Sequence, residues 1–157
     1  MSSGGIELLD DPVARELLSS AIPARLAYNW TDGTPRVVAI WFERAGNDIV
    51  MCTFPTAPKL RALRSGDRVA LTIDTNEPPN HILSIRGTCE VTTRRGVVGE
   101  YVRAAERYLG KAQAGAYIGS LPTEIPMARI AVHPEHVVVL DFEARFPSAL
   151  SALGLAP

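Results

Sequence analysis

The sequence is short of most features that would identify it at once. Of its 157 residues only 2 are cysteine and 3 are histidine, too few for a disulfide scaffold or a metal site of the usual ligand spacing. Cys52 and Cys89 each lie in an apolar stretch and read as buried small hydrophobes, which fits a reducing cytoplasm. Long apolar runs are also missing. Val37–Ile40 with Trp41 and Phe42, and Val137–Leu140, fall far short of the roughly 20 residues needed to cross a bilayer. No basic segment followed by an apolar one opens the sequence, which argues against secretion. Neither sign of charge is in excess: 16 basic residues, 14 of them arginine, stand against 17 acidic ones, for a net charge of −1. That balance excludes a general binder of nucleic acid or of anionic membranes.

The usual catalytic signatures are absent as well. No G-x-G-x-x-G follows a strand pattern, and neither G-x-x-x-x-G-K-[ST] nor G-x-S-x-G occurs. His133 and His136 are three apart, but Pro134 between them places them in a turn rather than on one helix face. His81 follows Pro78-Pro79-Asn80 and reads as a loop histidine with no nucleophile tied to it.

What remains is a globular composition, 46% hydrophobic and 21% charged, in one domain spanning 1–157. Asp11–Ala21 has helical spacing, with Asp10 or Asp11 as cap and Pro12 in the first turn. From Arg25 the period becomes two. Leu26, Tyr28 and Trp30 alternate, Asp32-Gly33 turns, and Arg36–Glu43 resumes as a strand; Gly46-Asn47 turns again before Ile49–Phe54. Thr56–Arg64 reads as a short helix capped by Thr56, with Pro58 in its first turn. Arg68–Thr75 and a long strand through Val91 follow, then helical spacing over Val97–Leu109 and around Ala112–Ser120. Met127–Val132 and His136–Phe142 predict a closing hairpin across His133-Pro134-Glu135, and the apolar Phe146–Leu155 predicts a docking helix. The fold class is therefore mainly β (α+β), a six- to seven-stranded antiparallel barrel with short flanking helices. Its core covers about 24–142, with the 11–21 helix before it and an extension, 143–157, after it.

Two segments carry functional expectations. Val37, Val38, Ala39, Ile40, Trp41 and Phe42 are apolar on both faces, whereas an antiparallel strand normally keeps one face wet. A subunit partner or a flat ligand would cover the second face. Thr53-Phe-Pro-Thr56-Ala57-Pro58-Lys59-Leu60-Arg61 brings hydroxyls, a helix start and a lysine into one stretch, with Arg61, Arg64 and Arg68 making the neighbourhood basic. Such a stretch suits a phosphate, and Arg36 would be a second cation.

These residues are similar to a known family. Asp32-Gly-Thr-Pro-Arg36-Val-Val-Ala-Ile-Trp41-Phe42 resembles the second strand of pyridoxamine 5′-phosphate oxidase-like proteins. Cys52-Thr53, then Thr56-Ala-Pro-Lys59-Leu60 with Leu63, resembles that family's phosphate-binding turn. Asp67-Arg68-Val-Ala-Leu and Ile85-Arg86-Gly87-Thr-Cys-Glu-Val91 resemble its next two strands. The resemblance implies a split β-barrel, a homodimer, and flavin sites at the subunit interface. By position, Arg36 would contact the cofactor phosphate or ribityl chain, and Val37, Val38, Ala39, Ile40 and Trp41 would lie beside the ring. Thr53, Thr56 and Ala57 would donate to the phosphate, Lys59 would pair with it, and Arg86 is a further candidate.

The departures narrow the activity. Trp41 stands where true vitamin-B6 oxidases have a substrate-binding lysine, Pro58 where they have an arginine, and Ile82 where they have a flavin-binding glutamine. Their arginine- and tryptophan-rich C-terminal segment is missing. The related flavin/deazaflavin oxidoreductases match better, and they use FMN or coenzyme F420. The expectation is a cytoplasmic, homodimeric oxidoreductase that binds FMN, or alternatively F420, and moves hydride to or from a small organic substrate. A non-catalytic module binding flavin, or haem through His81 or His133, and a ligand-free dimer are the other readings.

Overall fold

In the computed structural model, which describes residues 1–154, eight strands form one antiparallel sheet. They are β1 (Ser2–Gly4), β2 (Ala24–Asn29), β3 (Pro35–Ile40), β4 (Phe42–Ala45), β5 (Asp48–Thr53), β6 (Arg68–Asp74), β7 (Ile82–Arg95) and β8 (Pro126–Leu140). The helices are α1 (Pro12–Ser19), α2 (Gly99–Leu109), α3 (Lys111–Gly119) and α4 (Ser148–Ala152). The main path runs β3-β2-β6-β7-β8-β5-β4, and β1 pairs β8 off that path. The two end strands of the path, β3 and β4, are consecutive in the chain and separated only by Trp41. The sheet must therefore curl until its ends meet, yet β3 and β4 do not pair. This is a split barrel, as the family resemblance implies, with eight strands where the sequence pattern predicts six or seven because the short β1 adds to β8.

Alternation fills the interior. Leu26, Phe42, Ile49, Met51, Leu71, Ile73, Leu83, Ile85, Ile130 and Val137 are fully or nearly fully buried in one cluster, which α1 closes with Ala14, Leu17 and Leu18. A second cluster lies outside the barrel wall, where Val50, Cys52, Met127 and Ala131 meet Tyr101 of α2. The predicted strand Arg36–Glu43 is thus two strands, because Trp41 turns outward under α2 while Phe42 enters the barrel. Arg107 of α2 secures the bend, donating to the Phe42 carbonyl oxygen and to the Glu43 carboxylate.

The expected hairpin across His133-Pro134-Glu135 does not form. These residues lie inside β8, a single 15-residue strand paired with β7. Arg86 pairs with His136 and Gly87 with Pro134, which leaves Glu135 as the extra residue of a β-bulge. A bulge is where a proline, lacking an N–H, fits within a sheet. It fits here because the partner strand supplies Gly87, on which a Cβ would stand 1.9 Å from the His133 carbonyl oxygen.

Local signals place α1 well: Asp11 is the cap, and its Oδ1 accepts from the Val13 N–H at 2.9 Å. The helix ends at Ser19 rather than Ala21 because the Ser20 hydroxyl donates to the Leu17 carbonyl at 2.7 Å. At the other end α4 buries none of its residues, so the expected docking helix does not dock; Leu155 lies outside the described residues. The extension is held instead by charge. Arg145 donates to Asp141 Oδ2 at 2.8 Å and to Asp11 Oδ2 at 2.6 Å, and Asp141 Oδ1 accepts from the N–H groups of Glu143, Ala144 and Arg145. Burial alone would raise the Asp141 pKa, but the guanidinium and those N–H groups outweigh it and hold the carboxyl well below the usual carboxylate range. A folded-state pKa below the unfolded value adds stability above pH ~4 that drains as pH falls toward the folded pKa. Asp141→Asn should therefore lose about 1–3 kcal/mol at pH 7 and show a flatter loss of stability than the parent between pH 5 and pH 3 in denaturant titrations. Parallel pH profiles would contradict this role.

Candidate functional site

The strand expected to be covered on both faces is an edge strand. Pairing of Leu26 with Val38 and of Ala24 with Ile40 directs Val38 and Ile40 to the core. Val37 and Ala39 point outward on the face they share with Ala27 and Arg25, and Val37 is 64% exposed. The second face is thus covered by this chain only at Trp41, and the Val37–Ala39 end stays open. The expected ring-side stretch does not present one continuous surface.

Arg36 lies at the start of β3, its guanidinium 5.8 Å from the centre of the Trp30 ring. Arg61 stands at the same distance from that ring. The sheet therefore brings Arg36 to the turn that follows β5, and the indole holds both cations by cation–π attraction. Neither arginine forms an ion pair among the described residues, although the Arg36 charge adds to the hydrogen bonds from Thr34 that lower the Asp32 pKa. Arg64, expected beside them, is instead spent on the carbonyl oxygens of Leu60, Leu63 and Arg61 at 2.8–3.1 Å.

The turn itself differs from expectation. Pro58–Arg61 is a four-residue 3₁₀ turn with Ala57 at its N-cap, and Thr56 makes no cap. The Ala57 N–H is already donated to the Phe54 carbonyl at 2.9 Å, so backbone donors count for less here than the sequence suggests. Side chains count for more. The hydroxyls of Thr53 and Thr56 have no hydrogen-bond partner among the described residues, and Lys59 has neither hydrogen bond nor ion pair there. Lys59 is half-buried, and that burial lowers its pKa. A lysine held in this state gains from an anion.

A cleft of about 400 Å³ lies across the bend between β3 and β4. Ala39, Ile40 and Trp41 form one side, with Cys52 of β5, Tyr101 of α2 and Tyr117 of α3 completing it. The Trp41 indole stacks on Tyr108 with ring centres 5.1 Å apart and planes within 5°. The Tyr101 and Tyr117 hydroxyls are 2.7 Å apart. Burial raises the Tyr101 pKa, and the hydrogen bond with Tyr117 raises it further. Burial, with the Glu100 carboxylate adding to it, pushes the Cys52 thiol up to about 12, so it is inert at neutral pH. Sequence reading singles out Trp41, as a residue beside the ring, but misses both tyrosines, whose helical spacing signals only a packed face. No periodicity could show that residues sixteen positions apart share a hydrogen bond.

Arg86 lies elsewhere. It and Arg68 line a separate cleft of about 590 Å³ on the outer face of β2, β6 and β7, with His136 and Glu135 at the bulge. The histidines are engaged. His81 Nδ1 is 3.2 Å from Glu16 and its Nε2 is buried without a partner; His133 Nδ1 is 2.8 Å from Asp48, and His136 Nε2 is 3.2 Å from the Ser3 hydroxyl. Among the described residues no group of three potential metal ligands forms, and no helix is long and apolar enough to cross a membrane.

Comparison with known proteins gives one family and one fold. Residues 11–144 match the sequence profile of the family described as Pyridoxamine 5′-phosphate oxidase. No curated protein sequence matches. Among solved structures, a conserved hypothetical protein of Mycobacterium tuberculosis has a TM-score of 0.62 at 17% identity, covering 84% of each chain. A protein described as an F420 reductase has a TM-score of 0.57 at 25% identity, over 79% of this chain and 94% of its own. HutZ, a haem storage protein of Vibrio cholerae, has a TM-score of 0.56 at 13% identity, over 82% and 94%. The first and third likenesses establish the fold alone.

Proposed function

Because the chain belongs to the Pyridoxamine 5′-phosphate oxidase family, we propose that it is a cytoplasmic, homodimeric oxidoreductase working with a flavin-type cofactor. FMN is the first reading and coenzyme F420 the second. When bound, such a cofactor supplies the hydride chemistry; the chain supplies grip, orientation and exclusion of water. The observation that supports this most directly is Lys59, a half-buried cation with no counter-charge among the described residues, where the hydroxyls of Thr53 at the end of β5 and of Thr56 before the turn likewise have no partner. Lys59, Thr53 and Thr56 would hold the phosphate, and Arg36 and Arg61, gathered at Trp30, would face the rest of the anionic part. Val37 and Ala39 offer an apolar edge to the ring, which a second copy of the chain would close.

The F420 reading draws support from the 25%-identical F420 reductase and from Arg61, which has no ion pair among the described residues and would meet an acidic tail. Oxidation of pyridoxamine phosphate is disfavoured. Where the resemblance calls for a substrate-binding lysine, Trp41 is stacked on Tyr108. A haem reading through histidine finds little support in the side-chain geometry, since His81 Nε2 is buried and His133 is tied to Asp48.

The test is a titration of cofactor-stripped protein with FMN and with F420, in the parent and in Lys59→Ala. One cofactor should saturate the parent, and the substitution should weaken it by about 1–3 kcal/mol, the worth of a hydrogen bond to a charged group. Lys59→Arg should keep most of the affinity. Equal binding by the parent and Lys59→Ala would remove the lysine from the site, and binding of neither cofactor would end the oxidoreductase reading.

A further inference from the structure

A groove of about 290 Å³ between α1 and α2, crossing β4, holds more positive charge than its surroundings cancel. Arg15 and Ser19 of α1, Glu43 and Arg44 of β4, and Arg107 of α2 line it beside the buried Leu18. Both carboxylates within reach are already shared. Glu43 accepts from Arg107 and, at 3.3 Å, from Arg103. Asp10 Oδ1 lies 3.1 Å from Arg44 and 3.5 Å from Arg15. Four guanidiniums therefore meet two carboxylates, a surplus of two positive charges in this group.

Two of these arginines are set in place by backbone. Arg44 donates from Nε to the Gly46 carbonyl and from Nη1 to the Leu9 carbonyl, both at 2.9 Å. Arg107 donates from Nε to the Ser20 carbonyl at 2.9 Å and from Nη2 to the Phe42 carbonyl. Their side chains are only 23% and 17% exposed. A guanidinium carries five N–H donors. Each of the two keeps a pair uncommitted after its carboxylate contact. Arg15 is 65% exposed, and its guanidinium makes no hydrogen bond among the described residues. Fixed, poorly hydrated cations with donors to spare gain from an anion at little cost in side-chain entropy.

We propose that this groove is a binding site for a phosphate group, which Arg15, Arg44 and Arg107 share and which ties α1, β4 and α2 together. A carboxylate offers one charge and two oxygens, too few for three guanidiniums. A tetrahedral dianion cancels the whole surplus and has oxygens for each fork. The volume admits a phosphate with a small organic remainder. The site is separate from the turn at Lys59. Arg44 pairs with Ile49 near the start of β5, whereas Thr53 ends that strand on the side of Lys59, roughly 13 Å of extended chain away. The assignment does not depend on the oxidoreductase reading.

The test follows the Nε–H signals of Arg44 and Arg107 by nitrogen-15 NMR, since their hydrogen bonds to carbonyl oxygens slow exchange with water. Inorganic phosphate should move both signals saturably, and chloride at matched ionic strength should not. Arg15→Ala, at an exposed position that the fold does not need, should raise the phosphate Kd about five- to tenfold. Lys59→Ala should leave that Kd unchanged. Glycerol 3-phosphate, titrated in parallel, distinguishes the sources: tighter binding than the free ion assigns a phosphate monoester, weaker binding the free ion, and either upholds the site. Signals that do not move, equal movement with chloride, an unchanged Kd in Arg15→Ala, or loss of the response in Lys59→Ala would each overturn it.

Discussion

Gly87→Ala is expected to destabilise the protein by about 3 kcal/mol or more, as overpacking against rigid backbone does at its upper end. A Cβ there would lie 1.9 Å from the His133 carbonyl oxygen and 3.2 Å from the Glu135 nitrogen, both backbone atoms of the facing strand. Neither can rotate away. Relief requires β7 and β8 to separate at the bulge, where the two longest strands of the sheet carry its central pairing. The control is Gly115→Ala in α3, where an added Cβ meets nothing within 4 Å and better helix propensity should stabilise by about 0.5–1 kcal/mol. Denaturant unfolding of both variants checks the pair of outcomes. A Gly87→Ala protein as stable as its parent would mean that His133-Pro134-Glu135 turns the chain after all.

Val37→Glu is expected to leave the fold intact and abolish assembly. The side chain is 64% exposed, so the monomer loses little by carrying a charge there. In the proposed homodimer that charge would be buried at an apolar edge without a partner. Central interface substitutions of this kind weaken association by about 2 kcal/mol or more, at least thirtyfold in Kd. Light scattering behind size exclusion should show the parent at twice the chain mass and the variant at the chain mass, and cofactor affinity should fall with assembly. A variant that stays dimeric would move the interface off β3, and a monomeric parent would remove the homodimer altogether.

How far the sequence could be read depended on whether a feature was local. Asp11-Pro12 announces α1 because cap and first turn are neighbours in the chain. The alternation of Val69, Leu71 and Ile73 announces β6 because period two is itself the burial pattern. Pro134 misleads for the converse reason. Alone it signals a turn, and only the glycine opposite it, forty-seven positions earlier, turns that signal into a bulge. The break at Trp41 is hidden because apolar residues on both sides of it satisfy two different cores, one inside the barrel and one under α2. Within the candidate site, Arg36, Thr53, Thr56 and Lys59 were legible as residues but their state was not. That Lys59 stands unpaired while Arg64 is consumed by carbonyl oxygens depends on side-chain directions in a 3₁₀ turn.

The single-residue connection between β3 and β4 makes Trp41 a covalent clasp on a ring of hydrogen bonds that is otherwise open at that point. A clasp without slack sets the girth of the barrel by chain length. One residue inserted at Trp41 would let the slit widen, while one removed would force Ile40 or Phe42 to leave the interior. The same residue forms a wall of the aromatic cleft. The aperture of the cleft and the circumference of the barrel are therefore one mechanical variable, so a molecule wedged beside the indole pulls on both rims of the sheet.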